Sequence, residues 1–303
     1  MRVLVTGAAG FVGSHLVEML LEGDHEVIGV DSFTEYYSPS QKRANLAGVP
    51  GSSSFTLVEG VSVIYHLAGQ PGVRASWGAE FDIYLAQNVL STQKLLEAAK
   101  TASIEKFVLA SSSSVYGQAE QFPTRESDRP RPVSPYGATK LAAEHLCHLY
   151  HQAFGVPVVM LRYFTIFGPR QRPDMAFSRF IAAALRDQPL TVIGDGMQSR
   201  DFTYVADAVL ATIAAGESGV AGRVYNVAGG TQATVLDVLA ILERILGRPL
   251  EREHLESVPG DPRKTGADTT AASEDLGYRP SIGLEDGLGH QVAAMRATAV
   301  EEA

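Results

Sequence analysis

The 303-residue chain is short of cysteine and of positive charge, and each shortage closes off a class of function. Cys147 alone cannot form an intramolecular disulfide, and no cysteine cluster is present to hold a metal, which suits a reducing compartment. With 25 Lys+Arg against 34 Asp+Glu the formal charge is −9, the wrong sign for a general nucleic-acid surface. An anionic small ligand would have to be met by local arginines. No apolar run approaches the roughly 20 residues of a membrane-spanning helix. The chain opens directly on an apolar strand pattern, MRVLVTG, with no basic leader, separate hydrophobic stretch or small-residue cleavage site, so the expectation is a cytoplasmic protein. Internal repeats and low-complexity tracts are lacking too. What is present is 45% hydrophobic residues, enough for a sizeable core and incompatible with a disordered chain.

Apolar strand runs alternate with helical patterns through the first half. Strands are expected at Val3–Val5, Glu26–Val30, Val61–Leu67, Lys106–Ala110 and Val158–Leu161, and helices at about Gly13–Leu21, Ala86–Lys100 and Pro135–Phe154. Such alternation predicts parallel βαβ units. Runs such as VIGV and VPVVML are continuously apolar, as strands covered by helices on both faces are. The expected fold is α/β, a Rossmann-type doubly wound parallel sheet with a smaller α/β substrate-binding lobe. Residues 1–165 are assigned to the first domain, with returning segments near 201–228. Residues 166–303 form mainly the second, loop-rich lobe, with helices at Phe177–Arg186 and Leu236–Leu246.

Gly7, Gly10 and Gly13 follow the first strand and open the first helix, in TGAAGFVGSHL. The three glycines serve different needs: a tight turn, close backbone approach to a pyrophosphate, and close helix–strand packing, with the helix N-terminus facing the anion. Asp31 ends the next strand about 20 residues on, where a carboxylate accepts from both ribose hydroxyls of NAD and repels the extra phosphate of NADP. A glycine-rich turn and an unrelated strand-end aspartate are the plain alternative. The strand-to-helix placement favours NAD, with Phe11, Val12, Ser32, Leu67 and Ala68 as further cofactor contacts.

The stretch VLASSSSVYG places hydroxyls, Ser111 to Ser114, at the carboxyl end of a predicted parallel strand, where open α/β sheets bind ligands. Further on, SPYGATKLAAEHL sets Tyr136 and Lys140 four residues apart on one helix face. A tyrosine of ordinary pKa, about 10, is a poor base at neutral pH, but a nearby ammonium and a positive nicotinamide would stabilise the phenolate. Tyr136 then takes a proton from a sugar hydroxyl, Lys140 tunes it, and a serine positions the substrate. Alone, YxxxK is more often an exposed pair on an amphipathic helix. The upstream glycine fingerprint and the hydroxyl-rich strand end make the chemical reading the stronger one.

In chain order, TGAAGFVGSHL, VDSFTEYY, YHLAGQPGVR, NVLSTQKLLEAA, ASSSSVYG, SPYGATK, LRYFTIFGPRQRPDMA, GDGMQSRDFTYVAD and GDPRKTGAD resemble the extended short-chain dehydrogenase/reductase superfamily, specifically its nucleotide-sugar epimerases and dehydratases. The resemblance covers nearly the whole chain. It makes residues 1–165 the NAD-binding domain and 166–303 mainly the nucleotide-sugar-binding one. It also makes Ser112 the catalytic hydroxyl beside Tyr136 and Lys140, with Ser113 and Ser114 as the fallback. The related 4,6-dehydratases carry an acidic pair where this chain has Ser113 and Ser114, so dehydration is disfavoured.

The segments FTEYYSPSQKR, ASSSSVYG and FTIFGPRQRPDMAF are similar to those of UDP-glucuronate 4-epimerases, and Thr165 stands where decarboxylases and glucose epimerases often carry Asn. The resemblance implies a redox-neutral epimerisation at carbon 4, through a transient 4-keto sugar that turns over in the pocket beside a permanently held NAD. Arg172 is the candidate for the sugar carboxylate, because a guanidinium matches it as a bidentate fork, although a surface arginine after a turn would look the same. Ser113, Ser114 and Thr165 complete the sugar contacts, and Arg200 and Arg263 resemble the family's diphosphate contacts. UDP-glucose 4-epimerase and UDP-glucuronate decarboxylase are the alternatives. A non-catalytic NAD sensor is a remoter one, since a sensor has no need of a tuned phenolate.

A homodimer is expected through Tyr84–Ala99 and Leu141–Phe154, which resemble the paired helices of a four-helix interface, although a buried helix of a monomer would show the same pattern. No nucleic-acid or membrane partner is expected, and no metal: His145, His148 and His151 lie at helical spacing without acidic or cysteine partners. Trp77 reads as local packing rather than sugar stacking.

The chain departs from the family pattern in two places. It passes from Glu59-Gly60 directly into Val61, where the family has the end of a strand, an Asp near the adenine and a crossover helix. A parallel connection needs roughly a dozen residues, so Phe55–Glu59 and Val61–Leu67 are not expected to be neighbouring strands, and the adenine contact stays unassigned. Either this lobe lacks the unit or the sequence omits a segment, and the intact remainder of the motif set favours omission. Gly69 replaces the family's usual alanine.

Overall fold

The computed structural model describes residues 1–47, 60–256 and 262–301, with side chains through residue 298. Strand β1 (Arg2–Thr6) leads into α1 (Phe11–Glu22), β2 (Glu26–Val30), the short α2 (Pro39–Asn45) and β3 (Val63–His66). Helix α3 (Phe81–Tyr84) continues through a π-helical stretch, Leu85–Leu90, into α4 (Ser91–Ala99), followed by β4 (Lys106–Ser112), a 3₁₀ turn at Ser113–Val115, α5 (Pro135–Phe154) and β5 (Val158–Tyr163). The rest supplies β6 (Ile166–Phe167), α6 (Ala176–Leu185), β7 (Leu190–Ile193), β8 (Ser199–Asp201), β9 (Thr203–Tyr204), α7 (Val205–Glu217), β10 (Val224–Val227), β11 (Gln232–Thr234), α8 (Val235–Leu246), β12 (Arg252–Leu255), α9 (Thr270–Leu276) and α10 (Leu284–Glu301).

Six strands form one sheet in the order β10-β5-β4-β3-β1-β2, and every pairing in it is parallel. Successive side chains point to opposite faces, and here both faces are apolar. Val3, Val5, Val108, Val159 and Leu161 join the layer that contains α1 and α7. Leu4, Phe107, Leu109, Val158 and Met160 meet Leu96, Ala99, Ala143, Cys147 and Tyr150 of α4 and α5. The doubly wound Rossmann-type arrangement follows from that two-sided burial. Three two-stranded sheets, β8–β11, β7–β12 and β6–β9, build a smaller lobe with α6, α8 and α10. Its core is continuous with the α1 and α7 layer: Phe177, Ile181, Leu239, Leu242 and Leu288 belong to the same buried cluster as Val5 and Leu16. Among the described residues no helix is long and apolar enough to cross a membrane.

Strand β3 sits between β1 and β4, with Val63 opposite both Val3 and Lys106. The strand expected at Phe55–Glu59 lies outside the described residues. The chain leaves β1 toward β2 on one side and toward β3 on the other, and ligands bind in the crevice that such a reversal opens at the strands' carboxyl ends.

The helix expected at Ala86–Lys100 starts earlier, at Phe81, and is not α-helical throughout. Widened π turns often mark functional sites. This one contains Asn88, which is buried and whose amide donates to the Gln70 carbonyl (3.1 Å) and the Thr139 hydroxyl (3.0 Å) while accepting from the Gln70 N–H (2.7 Å).

Candidate active site

The crevice between the ends of β1 and β3 holds a cavity of about 410 Å³, within the roughly 300–1,000 Å³ of small-molecule sites. Gly7, Gly10, Phe11, Val12, Gly13, Asp31, Ser32, Leu67 and Ala68 line one part of it, and Ser111, Tyr136, Lys140 and Arg172 another. The glycines are there for space. Gly7 has φ +73°, and a Cβ on Gly13 would stand 2.0 Å from the Gly7 carbonyl oxygen. No side chain caps the start of α1, and Gly10, Phe11, Val12 and Gly13 at that start line the cavity. Asp31 accepts from the Ala9 N–H (3.1 Å) and the Phe33 N–H (2.8 Å), which fixes it at the rim beyond β2. These features fit a dinucleotide: glycine at the turn, an open helix N-terminus for pyrophosphate, and a carboxylate where ribose hydroxyls would lie.

Gly13→Ala is expected to remove bound NAD. The methyl has nowhere to go except into backbone, and such overpacking costs about 1–3 kcal/mol or more. Ultraviolet absorbance of the purified variant measures the cofactor, and a parental NAD content would contradict the close packing drawn here.

Helix α5 carries Tyr136 and Lys140. The Ser134 hydroxyl caps it by accepting from the Gly137 N–H at 3.1 Å, Pro135 occupies its first turn, and Gly155 ends it at φ +72°. Tyr136, Lys140 and Glu144 follow at four-residue steps and share one face. Lys140 is buried, its ammonium donates to the Ala110 carbonyl at 3.1 Å, and Nζ lies 6.0 Å from the centre of the Tyr136 ring. Burial pushes Lys140 down to about 8, and the Glu144 carboxylate works in the opposite direction. The Tyr136 phenol is not lowered by the protein alone: burial raises it, and the Ser112 hydroxyl and the Arg172 charge draw it back only in part. The Ser112 hydroxyl and the Arg172 charge, rather than Lys140, are the groups that draw the phenol down.

His66 and Lys42 lie within the YHLAGQPGVR and FTEYYSPSQKR segments and also line the cavity, though they are not among the expected site residues. Neutral His66 lies buried between the Thr6 hydroxyl (2.8 Å) and the Thr92 hydroxyl (3.0 Å), pushed down to about 3 by burial and then by Lys140. Lys42 is buried 3.8 Å from Asp31 and donates to the Thr34 hydroxyl at 3.2 Å. Gly69, where the family usually has alanine, abuts Asn88 and Lys140: a Cβ there would lie 2.8 Å from the Asn88 amide oxygen and 3.1 Å from Lys140 Nζ.

Other expected site residues are not among those that line the cavity, although the Ser112 hydroxyl bonds to the Tyr136 phenol that does. Ser112 caps the 3₁₀ turn by accepting from the Ser114 N–H at 3.1 Å, with Ser113 and Ser114 inside that turn. Thr165 accepts through its carbonyl from the Thr203 N–H. Arg200 donates to the Ser199 carbonyl at 2.8 Å. Arg263 is exposed and forked onto Asp195 at 2.9 and 2.7 Å. None of these six lines the described cavity. Trp77 is 54% exposed and does not line the cavity.

A dinucleotide crevice with a Tyr–Lys helix at its mouth and serines on the adjoining strand end defines an NAD-linked enzyme of the extended short-chain dehydrogenase/reductase class. The chain belongs to the NAD dependent epimerase/dehydratase family, which matches residues 3–228. It is 46% identical over 308 residues to an uncharacterized UDP-glucose epimerase, YtcB, of Bacillus subtilis, with 97% of each chain covered. It is 37% identical over 307 residues to the UDP-glucuronate 4-epimerase of Thermodesulfobacterium geofontis, covering 95% of this chain and 94% of the relative. Among solved structures, the UDP-glucuronic acid 4-epimerase of Bacillus cereus in complex with UDP-glucuronic acid and NAD superposes with a TM-score of 0.94 at 44% identity, covering 98% of this chain and all of that one.

Proposed function

We propose that the protein converts UDP-glucuronate to UDP-galacturonate by NAD-dependent epimerisation at carbon 4. The observation that carries this reading is Arg172: its guanidinium lines the same cavity as Tyr136 and Lys140, where a planar, permanently charged fork suits a sugar carboxylate. The relatives that act on UDP-glucuronate support it. Bound NAD supplies a hydride acceptor and a positive ring that favours the phenolate.

Tyr136 takes the proton of the 4-hydroxyl and later returns one, Ser112 holds the same oxygen, and Lys140 holds the phenolate's charge. With the ketone beta to the carboxylate, decarboxylation follows whenever the breaking bond aligns with the carbonyl π system. Arg172, Ser113 and Ser114 hold the carboxylate out of that alignment, a positioning task. Serines cannot serve as the acid–base pair of a dehydratase. Thr165, Arg200 and Arg263 belong to the same reading, the first at the sugar and the two arginines at the diphosphate.

The similarity to a protein named as a UDP-glucose epimerase favours that substrate as the second reading. Incubation with UDP-glucuronate, UDP-glucose and UDP-N-acetylglucosamine separately, with products identified by NMR, decides between them. A galacturonate product from the first alone supports the proposal, and a pentose moves it to a decarboxylase. Arg172→Ala is expected to slow epimerisation about 10–100-fold, as loss of a charge-assisted bidentate contact does, with 4-keto-pentose appearing among the products. Turnover at the parental rate would rule out the role.

The same reading divides the chain into an NAD-binding part, residues 1–165 with 201–228 returning to it, and a mainly nucleotide-sugar-binding part, 166–303. It places the enzyme in the cytoplasm as a homodimer. Exposed Ile83, Leu85 and Leu90 on the α3–α4 segment and Leu149 and Phe154 on α5 support the dimer.

A further inference from the structure

Asp174, in the same FTIFGPRQRPDMAF segment as Arg172, holds one edge of the arginine's guanidinium. Its carboxylate takes the side-on edge of the guanidinium, with Nε donating to Oδ1 and Nη2 to Oδ2, each at 2.9 Å. A guanidinium has a second, end-on edge, which the Asp174 contact does not occupy, and Arg172 lines the cavity. Tyr36, from the segment after β2, reaches Asp174 across the crevice. Its hydroxyl donates to Oδ2 at 3.1 Å, and its ring centre is 5.7 Å from the Arg172 guanidinium carbon.

Room for that hydroxyl is made by Gly72, at φ +104°, where a Cβ would stand 2.4 Å from the Tyr36 oxygen. The Gly72 carbonyl accepts from the Tyr84 hydroxyl at 2.9 Å, and the Tyr84 ring packs edge-on against Tyr136 with centres 6.5 Å apart. Arg172 and the reacting phenol are thus joined by a continuous chain of contacts around the cavity. Burial alone would raise the Asp174 carboxyl, but the Arg172 fork and charge hold it below its ordinary value. Burial, reinforced by the Asp174 charge, pushes the Tyr36 phenol up to about 12, so Tyr36 remains a donor.

We propose that Asp174 and Tyr36 are positioning residues that clamp the Arg172 guanidinium side-on, present its end-on edge to the sugar carboxylate, and so set the preference for a carboxylated over a neutral sugar. The inference rests on the assignment of Arg172 to that carboxylate. An unclamped arginine must give up rotamer freedom when the sugar binds, and a preorganised one has already done so. The gain falls on a carboxylate, which fills both points of the fork, rather than on a hydroxymethyl group.

The test uses the NAD-loaded protein carrying Tyr136→Phe, so that binding is read without turnover, titrated calorimetrically with UDP-glucuronate and with UDP-glucose. Adding Asp174→Ala is expected to weaken UDP-glucuronate about tenfold, the scale of one charge-assisted contact, and to leave UDP-glucose within about twofold. Asp174→Asn keeps a one-point hold on the guanidinium and recovers part of the loss. Tyr36→Phe moves the preference the same way by a smaller factor. Retained NAD in each variant shows that the fold persists. A preference that survives Asp174→Ala unchanged, or an equal loss for both sugars, overturns the clamp. A starting protein with no preference for UDP-glucuronate overturns the substrate assignment instead, so the two failures are told apart.

Discussion

Tyr136→Phe is expected to lower turnover of UDP-glucuronate by a factor of about 10²–10⁴, the contribution typical of a positioned acid–base group. NAD should remain bound and the melting temperature should hardly move. The ring stays: its edge-on contact with Tyr84 does not involve the oxygen, and only the proton acceptor is lost. The size of the effect depends on the phenol's surroundings. Burial raises its pKa, opposed first by the Ser112 hydroxyl and then by the Arg172 charge, so each of those groups does part of the work expected of Lys140 alone. A matching experiment is Ser112→Ala, which removes the stronger of the two. Product formation by Tyr136→Phe within tenfold of the parent, measured by NMR on matched NAD-loaded samples, would transfer the proton to another group and undo the mechanism.

The parts of this site that could be read from sequence are those whose geometry is local. Gly7, Gly10 and Gly13 lie within one turn and one helix start, and Tyr136 and Lys140 are one helical turn apart, so spacing alone puts each set on a common face. Asp31 needs only the end of the next strand. The parts that could not be read depend on contacts across the fold. Asp174 meets Tyr36 over 138 residues of chain, and Asn88 meets Thr139 over 51.

Asn88 is doubly hidden, because an ordinary helical periodicity does not reveal the π turn that carries it. Arg263 shows the opposite difficulty. Its segment has the right residue type in the right order, but Asp195, 68 residues away, holds it on the exposed rim. Charge count in a sequence says nothing about which anion a given arginine has already engaged. The fold was more legible than the site for the same reason: two-sided apolar strands and helix periodicity repeat many times, whereas each cross-chain polar contact occurs once.

Glu144→Ala is expected to cost about 3–5 kcal/mol of stability, because it breaks a buried ion pair and strands the partner charge. The pair is well defined. Glu144 and Arg162 are each only 5% exposed, and they make two hydrogen bonds, at 3.0 and 2.7 Å. Arg162 also donates to the Tyr116 hydroxyl at 2.8 Å, which donates to the Asn226 side chain at 2.7 Å, so β5, α5 and β10 meet at this arginine. For a chain of this size the loss would read as a fall of about 10 °C in melting temperature.

The consequence for catalysis is separate from the consequence for folding. Glu144 also accepts from the Ser111 hydroxyl at 2.5 Å and supports the charge on Lys140 one turn away. Lys140 is cationic below about 8 and loses its charge as pH rises through that value. Without the carboxylate its pKa falls further, so the alkaline limb of the activity profile should move to lower pH. Glu144→Gln keeps the shape and should show the same movement with a smaller loss of stability. The double variant Glu144→Leu, Arg162→Met removes both charges and should regain stability relative to Glu144→Ala, as apolar replacement of a buried pair often does, while leaving the alkaline limb displaced. If stability and pH profile recover together in the double variant, Glu144 acts only through Arg162 and has no influence on the lysine.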